Sequence, residues 1–588
     1  GTELFVTDPA GNVVATQDSL LRPSGRWRLT RYDRANRPIE TLLTQQSFTE
    51  SQMRGYFSYE TVRAYLAQNP DSLFTSTVYD IADNISLTKT EIGKTKLSFT
   101  IEDITSGGSN NNNNNNPSSI TLAFSPEENT VSLYDVDTTK YASVLWERTA
   151  MTMSKDGELI GIAEDGSSNP STIAQADILY RYTAYFYDCY SRPVQSVTLY
   201  PDGTRLTAST KYNYSGLPVR QAARLLVPQE WPENENGSGS SGGGNAEPNG
   251  NSNSSDTLNV LLTETFTYDK RGRMLTSNAS MLTFSSFADN GNNGNGGNGS
   301  GFSYSDTISS SASATYSYDE LGHLTGKTLG GNLAQTLSYN IQDWLTTMQT
   351  EKGNANIFSQ TLRYYSPIKP NTTALYSGNI SEWESIQATN EASTYTFTYD
   401  TQGRLTSSDR YNGTATSATY LYTERDISYD RNGNILTLKR ISNSIPNPLH
   451  NFNYSYDGDK LTSLSGTQSG TQFSSQYAYD GNGNMTLDGN QAIRLSYDIN
   501  NLVHRAKKTA TGQNPSPQQD ELTATYSYFA DGTKYSTADT CGNSRIYIGP
   551  FTLARKDYGQ NSSGNGSGNN NDTTIQHITL LESADVLG

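Results

Sequence analysis

Tyr316-Ser317-Tyr318-Asp319-Glu320-Leu321-Gly322-His323-Leu324-Thr325 decides the fold, together with the nearby stretch Ser338-Tyr339-Asn340-Ile341-Gln342-Asp343-Trp344-Leu345. One unit stands there twice: Tyr318-Asp319 with Gly322 and Leu324, then Tyr339-Asn340 with Leu345. The unit reads as strand, turn, strand. An aromatic ends the incoming strand, and the Asp or Asn after it hydrogen-bonds the turn backbone. A Gly three residues on takes a positive φ, and an apolar side chain opens the return strand.

The unit recurs along most of the chain. Strong copies are Tyr268-Asp269 with Gly272 and Met274, Tyr399-Asp400 with Gly403 and Leu405, Tyr429-Asp430 with Gly433 and Ile435, and Tyr479-Asp480 with Gly483 and Met485. Looser copies are Tyr32-Asp33 with Pro38, Tyr79-Asp80 with Ile85, Tyr187-Asp188 with Pro193, Tyr212-Asn213 with Pro218, Tyr456-Asp457 with Leu461, and Tyr497-Asp498. Tyr399, Tyr429, Tyr456, Tyr479 and Tyr497 stand 30, 27, 23 and 18 residues apart. That irregular period suits two short strands plus connections, unlike the fixed period of a propeller or helical solenoid. A lone hairpin is marginal, so the units must stack side by side into one sheet. A long sheet twists and curls and must protect its edges, so one wide, wound, antiparallel β-sheet is expected. Each Tyr-Asp is read as a turn, and none of these Asp residues as catalytic.

Composition agrees with an all-β chain. Of 588 residues 34% are hydrophobic and 17% charged, yet 39 are Tyr, so burial must come through Tyr, Leu and Thr on sheets. Lys+Arg is 42 against Asp+Glu 59, a net charge of −17, which argues against nucleic acid as a partner. No stretch reaches the ~20 apolar residues of a membrane-spanning helix, so no direct membrane insertion is expected. His323, His450, His504 and His577 show no ligand spacing, so zinc is not expected. Cys189 and Cys541 read as two buried thiols, with a single long-range bridge as the alternative. No cofactor is expected.

Several motif hits are set aside. Gly239-Ser240-Ser241-Gly242-Gly243 and Gly294-Asn295-Gly296-Gly297-Asn298-Gly299 match hydrolase and dinucleotide patterns, but lie in Gly/Asn/Ser tracts without the flanking strand and helix. Those tracts are Gly107 to Ser119, Asn234 to Ser255, Asn290 to Gly301 and Asn561 to Asn571. They read as exposed flexible loops, or as placeholders, without function. Gly322 to Thr328 resembles a phosphate loop but is one residue short. Asp480-Gly481-Asn482-Gly483-Asn484 starts like a calcium loop, yet Met485 holds the glycine place and Gln491 the twelfth. Ser51 to Gln68 reads as a helix, through Tyr56, Val62, Tyr65 and Leu66, stopped by Pro70.

Three longer segments carry a resemblance. They are Ala15 to Leu43, with Gly25-Arg26-Trp27 and Thr30-Arg31-Tyr32-Asp33-Arg34-Ala35-Asn36-Arg37-Pro38; Tyr187 to Val219, with Tyr212-Asn213-Tyr214-Ser215-Gly216-Leu217-Pro218; and Tyr318 to Asn379, with Leu324-Thr325-Gly326-Lys327 and Tyr376-Ser377-Gly378-Asn379. Ala530-Asp531-Gly532-Thr533-Lys534 and Tyr547-Ile548-Gly549 belong with them. On these residues the chain resembles YD-repeat, or RHS-repeat (rearrangement hot spot), proteins of Bacteroidetes type, over almost its whole length apart from roughly Gln45 to Thr149.

The resemblance implies a hollow RHS-type β-cage built from a spiralling antiparallel sheet, related to the shells of polymorphic toxins. Residues 1–180 would be an N-terminal part with degenerate repeats, and 181–588 the YD-repeat shell, in one continuous architecture. In relatives such a shell encloses a variable C-terminal region, often a toxin, and some members self-cleave just beyond the shell at an Asp-Pro-x-Gly type junction. The sequence reads as holding no such junction, so self-cleavage and toxin activity are carried over to no residue here. Both ends read as cut from something longer.

Two functions are expected to compete. The chain is either a secreted or cell-surface shell that encloses or presents its own C-terminal effector in bacterial competition, alongside other shell or secretion-system subunits, or a surface binding protein. The second would recognise glycan or protein through aromatics, with Trp27, Trp146, Trp231, Trp344 and Trp383 as candidates against a core-packing role. An enzyme in its own right is not expected.

Overall fold

Thr257–Tyr268 and Met274–Phe287 are neighbouring antiparallel strands, joined by a turn that opens at Asp269. That relation, repeated, builds the protein. A computed structural model describes residues 3–33, 35–44, 46–53, 65, 68–69, 73–79, 85–89, 95–102, 119–124, 149–155, 180–188, 190–200, 203–228, 257–287, 303–330, 332–389, 391–416, 419–442, 448–509, 521–540, 543–556 and 575–580. The four Gly/Asn/Ser tracts (Ser119 apart), both cysteines, Trp146, Trp231, Asp80 and most of Ser51 to Gln68 lie outside them. Only Glu50–Met53 and isolated positions at Tyr65 and Gln68 are described as helical in that last stretch.

Among the described residues a single sheet of 33 strands runs from Leu4–Thr7 to Ile575–Leu580. The pairings are antiparallel, and each strand lies beside the next one in sequence with one exception. Leu73–Tyr79 pairs with Thr149–Lys155, while Ile85–Lys89, Thr95–Glu102 and Ser119–Phe124 form a separate three-stranded sheet. Tyr79 and Ile85 therefore do not flank a hairpin of the repeat, although the spacing suggested one. The partner of Leu73–Tyr79 comes 70 residues later, which no local pattern reports. Tyr180–Tyr187 pairs on both sides, with Thr149–Lys155 and Pro193–Leu199, so the sheet runs unbroken through residue 180.

Alternation explains the strands. His450–Asp457 turns Asn451, Asn453, Ser455 and Asp457 outward and half-buries His450, Phe452, Tyr454 and Tyr456 between them. The core is concentrated where two parts of the sheet meet. Leu206, Leu225, Val227, Val260 and Leu262 pack with Phe529, Ile546, Ile548, Phe551 and Leu553. A second cluster joins Leu21 and Leu43 to Ile499. Polar contacts run along the same seam: Arg28 Nη2 donates to the Ile499 carbonyl (2.8 Å), the Ser19 N–H to Asn482 Oδ1 (2.9 Å), and Arg181 pairs with Asp531. The late strands have come back against the early ones.

The turns supply a reason for that return. At Tyr268 the register jumps from Thr267↔Thr276 to Tyr268↔Met274, leaving Leu275 as an extra residue, a β-bulge. The same jump occurs at Tyr32, Tyr187, Tyr212, Tyr318, Tyr339, Tyr399, Tyr429, Tyr456, Tyr479 and Tyr497. A bulge bends its strand and increases the right-handed twist. Repeated along one rim, it makes a long sheet coil.

Candidate functional site

The residues singled out from sequence gather on that rim. Tyr32, Tyr187, Tyr268, Tyr318, Tyr339, Tyr399, Tyr429, Tyr479 and Tyr497 each end a strand, and Asp33, Asp188, Asp269, Asp319, Asp400, Asp430, Asp480 and Asp498 each open a turn. In the turn after Tyr399, Asp400 N–H donates to the Arg404 carbonyl (2.9 Å) and Gly403 N–H to the Asp400 carbonyl (3.0 Å). Asp400 Oδ1 accepts from the N–H groups of Gln402 and Arg404, both at 2.9 Å. Gly433, at φ +95°, shows why glycine suits the third place after the Asp. Asn36, Ser191, Asp343 and Asn501 hold it in the looser copies, with φ of 60°, 60°, 64° and 62°. Tyr456 and Asp457 differ: Asp457 pairs with Lys460 across the two residues Gly458 and Asp459, a tighter hairpin. There Asp459 accepts from Asn432 and Asn434 of the preceding turn.

Two contacts join consecutive turns into a ladder, and neither was read from the sequence. The first is the phenol. Tyr429 donates to the Leu405 carbonyl (2.7 Å), Tyr399 to Ile380 (2.9 Å), Tyr456 to Ile435 (2.9 Å), Tyr339 to Leu324 (3.1 Å) and Tyr497 to Met485 (2.7 Å). Burial pushes the Tyr399, Tyr429, Tyr456 and Tyr497 phenols up, so they stay protonated donors.

The second contact comes from the residue five places after the Tyr. Arg273 Nε donates to Asp269 Oδ2 (2.7 Å), its Nη1 reaches the Asp319 carbonyl (3.0 Å), and its guanidinium lies 4.8 Å from the centre of the Tyr318 ring. Arg192 bridges in the same way to Asn213 and Tyr212, and Arg404 to Asp430 and Tyr429. Arg37 holds Asp33 (2.7 Å), while Asn434 and Asn484 hold Asp430 and Asp480 by an amide. A recurring Arg or Asn at Tyr+5 was the signal available.

Electrostatics separates the turns. The backbone bond from Arg404 holds Asp400 low against a weaker opposing desolvation, and the backbone bond from Arg273 does the same for Asp269. The bond from His323 holds Asp319 at about 2. Asp498 goes the other way. Burial at the seam raises it, against the backbone bonds from Leu502 and Asn500. Around Asp480 the donors of Asn482 and Asn484 converge on the carboxylate, and Asn482 Oδ1 accepts from Ser19, so this loop presents donors where a calcium ion needs oxygens.

Gly322 to Thr328 runs from a turn into the strand Leu324–Leu329, not into a helix. Among the described residues no group of three or more His, Cys, Asp and Glu could hold a metal. No helix there is long and apolar enough to cross a membrane. Trp27 is buried, with its indole N–H donating to the Phe48 carbonyl (2.9 Å), while Trp344 and Trp383 are half-buried against Tyr364 and Tyr395. A cavity of about 370 Å³ is lined by Tyr185, Gln195, Ser209, Tyr212, Glu264 and Pro550, among others.

No protein-family model and no curated protein matches the chain. Solved structures do. The crystal structure of TcdB2-TccC3-Cdc42 is 14% identical with a TM-score of 0.33, over 94% of this chain and 27% of that one. A Photorhabdus luminescens Tc holotoxin pore is 13% identical with a TM-score of 0.30, over 94% and 26%. A porin-like protein from Bacteroides uniformis is 12% identical with a TM-score of 0.15, over 51% and 85%. The chain thus spans about a quarter of the first two, at 27% and 26% of their length.

Proposed function

We propose that the chain is the wall of a hollow RHS-type shell, which encloses or presents a C-terminal effector (toxin) region of a larger secreted or cell-surface protein in bacterial competition. The observation that carries this reading is the return of the late strands onto the early ones. Phe529, Ile548 and Phe551 reach Leu206, Leu225 and Val260 across some 300 residues of sequence. A sheet that winds back on itself bounds a space. Its rim is laced by hydrogen bonds that leave the Tyr-Asp pairs to architecture, and the turn carboxylates are occupied by donors. In this reading the wall is not an enzyme, and self-cleavage or toxin chemistry belongs to the region it encloses. Its partners are that region and other shell or secretion-system subunits, with neither nucleic acid nor the lipid bilayer among them.

Limited proteolysis of the full-length protein, coupled to mass spectrometry, tests this. A C-terminal region that resists protease until denaturant opens the sheet supports the shell. A C-terminal region cleaved as fast as a free peptide under native conditions contradicts it.

A second reading has its own support. Tyr365 and Tyr376 stack at 5.9 Å with 11° between their planes, and Tyr214 and Tyr190 stand exposed at turn tips. Exposed flat rings suit recognition of a glycan or protein. Binding of a glycan panel that is lost in Y376A would favour it.

A further inference from the structure

Where other turns set an arginine or asparagine against their opening Asp, the turn after Tyr318 sets His323. Its Nδ1 lies 2.7 Å from Asp319 Oδ2, and its Nε2 lies 3.0 Å from Asp343 Oδ1, in the next turn. The ring stacks on Tyr339, 4.8 Å between centres and 23° between planes. One imidazole therefore sits between two carboxylates on consecutive turns.

Ionised carboxylates only accept hydrogen bonds, and a neutral imidazole carries one N–H. Neutral His323 satisfies one of the two, and turns a lone pair toward an oxygen of the other. Only the imidazolium donates to both. Three neighbouring polar groups are engaged elsewhere: Arg273 Nη1 bonds the Asp319 carbonyl, Arg271 Nη1 the Glu320 carbonyl, and the Tyr339 phenol the Leu324 carbonyl.

We propose that His323 is a pH-operated latch between two turns of the ladder, closed on Asp343 as imidazolium and released from it when neutral. Asp319 keeps the remaining N–H, because its turn also fixes the His323 backbone through a 2.9 Å bond to Oδ1. The linked pair of turns carries Leu321 and Ile341, 81% and 90% exposed at their tips, so release frees the Ile341 turn at the surface. The bond to Asp319, and then the charges of Asp319 and Asp343, raise the His323 pKa above its ordinary value. A raised folded-state value puts the latch's contribution fully in place below the unfolded value of about 6.5. The contribution is lost as pH rises through the folded value. The rungs at Asp269 and Asp400 place Arg273 and Arg404 where this turn has His323.

The test is an NMR titration of the full chain labelled at histidine Cε1, with the His323 signal assigned by its loss in H323R. Hydrogen exchange at residues 340–345 and 400–405 is measured over the same pH range. His323 should titrate above about 6.5. Protection of 340–345, corrected for intrinsic exchange, should fall roughly two- to fivefold through that titration, the size an exposed ion pair supports, while 400–405 stays constant. H323R should hold 340–345 protected at every pH. H323N, which keeps an amide for Asp319 as Asn434 does for Asp430, should leave it open at every pH. A His323 titration at or below 6.5, or wild-type protection as flat as that of 400–405, overturns the latch, and both readouts come from the wild-type chain alone.

Discussion

The Tyr429 hydroxyl donates a 2.7 Å hydrogen bond to the carbonyl of Leu405, the first residue of the return strand in the preceding repeat. The tyrosine of one turn thereby holds the bulged start of the strand before it, where the ladder is interrupted. Y429F removes the donor and leaves the ring in place. Its expected cost is about 1 kcal/mol, read as faster exchange of amides around Leu405 with distant strands unchanged. Unchanged exchange there would show that the phenol bond is incidental.

Acid should loosen the turns in an order set by their carboxylates. Asp269, Asp400 and Asp430 are held below the ordinary value, the first two chiefly by backbone bonds and the third by the Asn434 side chain. Depressed folded values mean stability present above the unfolded value of about 3.9 and lost as pH falls through the folded values. Turn protection should therefore persist at pH 4.5. The Asp319 turn, held to about 2, should be the last to weaken. Loss of protection already complete above pH 4 would contradict the assignment.

Asp498 should behave in the opposite sense. Seam burial raises its pKa, so its charge opposes folding at neutral pH, and stability from this site grows as pH falls through the raised value. D498N keeps an oxygen for the Asn500 and Leu502 N–H groups, as Asn340 does for Gln342 and Trp344. Its melting temperature should equal or exceed that of the wild type at pH 7, and the difference should vanish toward pH 4. A lower melting temperature at pH 7 would count against the burial argument.

Phe529 should be among the costliest positions to truncate. It stands where other turns have their Asp: its N–H donates to the Thr533 carbonyl (2.9 Å) and its carbonyl accepts from Gly532 (2.8 Å), but its ring enters the seam 6.0 Å from Tyr200. F529A should cost about 3–5 kcal/mol, measured by denaturant unfolding, and should raise exchange on both sides of the seam. G549A is the companion. A Cβ there would lie 2.6 Å from Leu206 Cδ2, at φ +54°, so it should also open the seam. Neither change affecting the early strands would mean that the two parts of the sheet do not pack.

The strand–turn–strand unit was legible because its determinants are adjacent: Tyr ends the strand, Asp takes the turn amides, and Gly adopts the left-handed φ. At Tyr200 and Phe529 an aromatic replaces the Asp while the backbone bonds of the turn persist; the first was missed despite Pro201-Asp202-Gly203, and the second showed only as the stretch Ala530-Asp531-Gly532-Thr533-Lys534. The phenol ladder was invisible for a different reason. Tyr268 reaches Pro218 across 50 residues, and that distance depends on how long the intervening connection is. The seam is further still, with Arg28 and Asn500 472 residues apart. Side chains that meet only after the sheet has coiled leave no periodic mark. The Thr7-Asp8-Pro9-Ala10-Gly11-Asn12-Val13 turn also escaped notice, lacking the aromatic. It carries the chain's one Asp-Pro-x-Gly pattern, used as a hairpin turn in which Asp8 accepts from Asn12 N–H at 2.8 Å.

Cryo-electron microscopy of the native, full-length polypeptide tests the central claim most directly. The expected result is a coiled β-wall in which the strands bearing Arg28 and Arg181 meet the turns at Ile499 and Asp531, with density for the C-terminal region inside it. An extended sheet whose early and late strands lie apart, with nothing enclosed, would contradict both the winding and the function drawn from it.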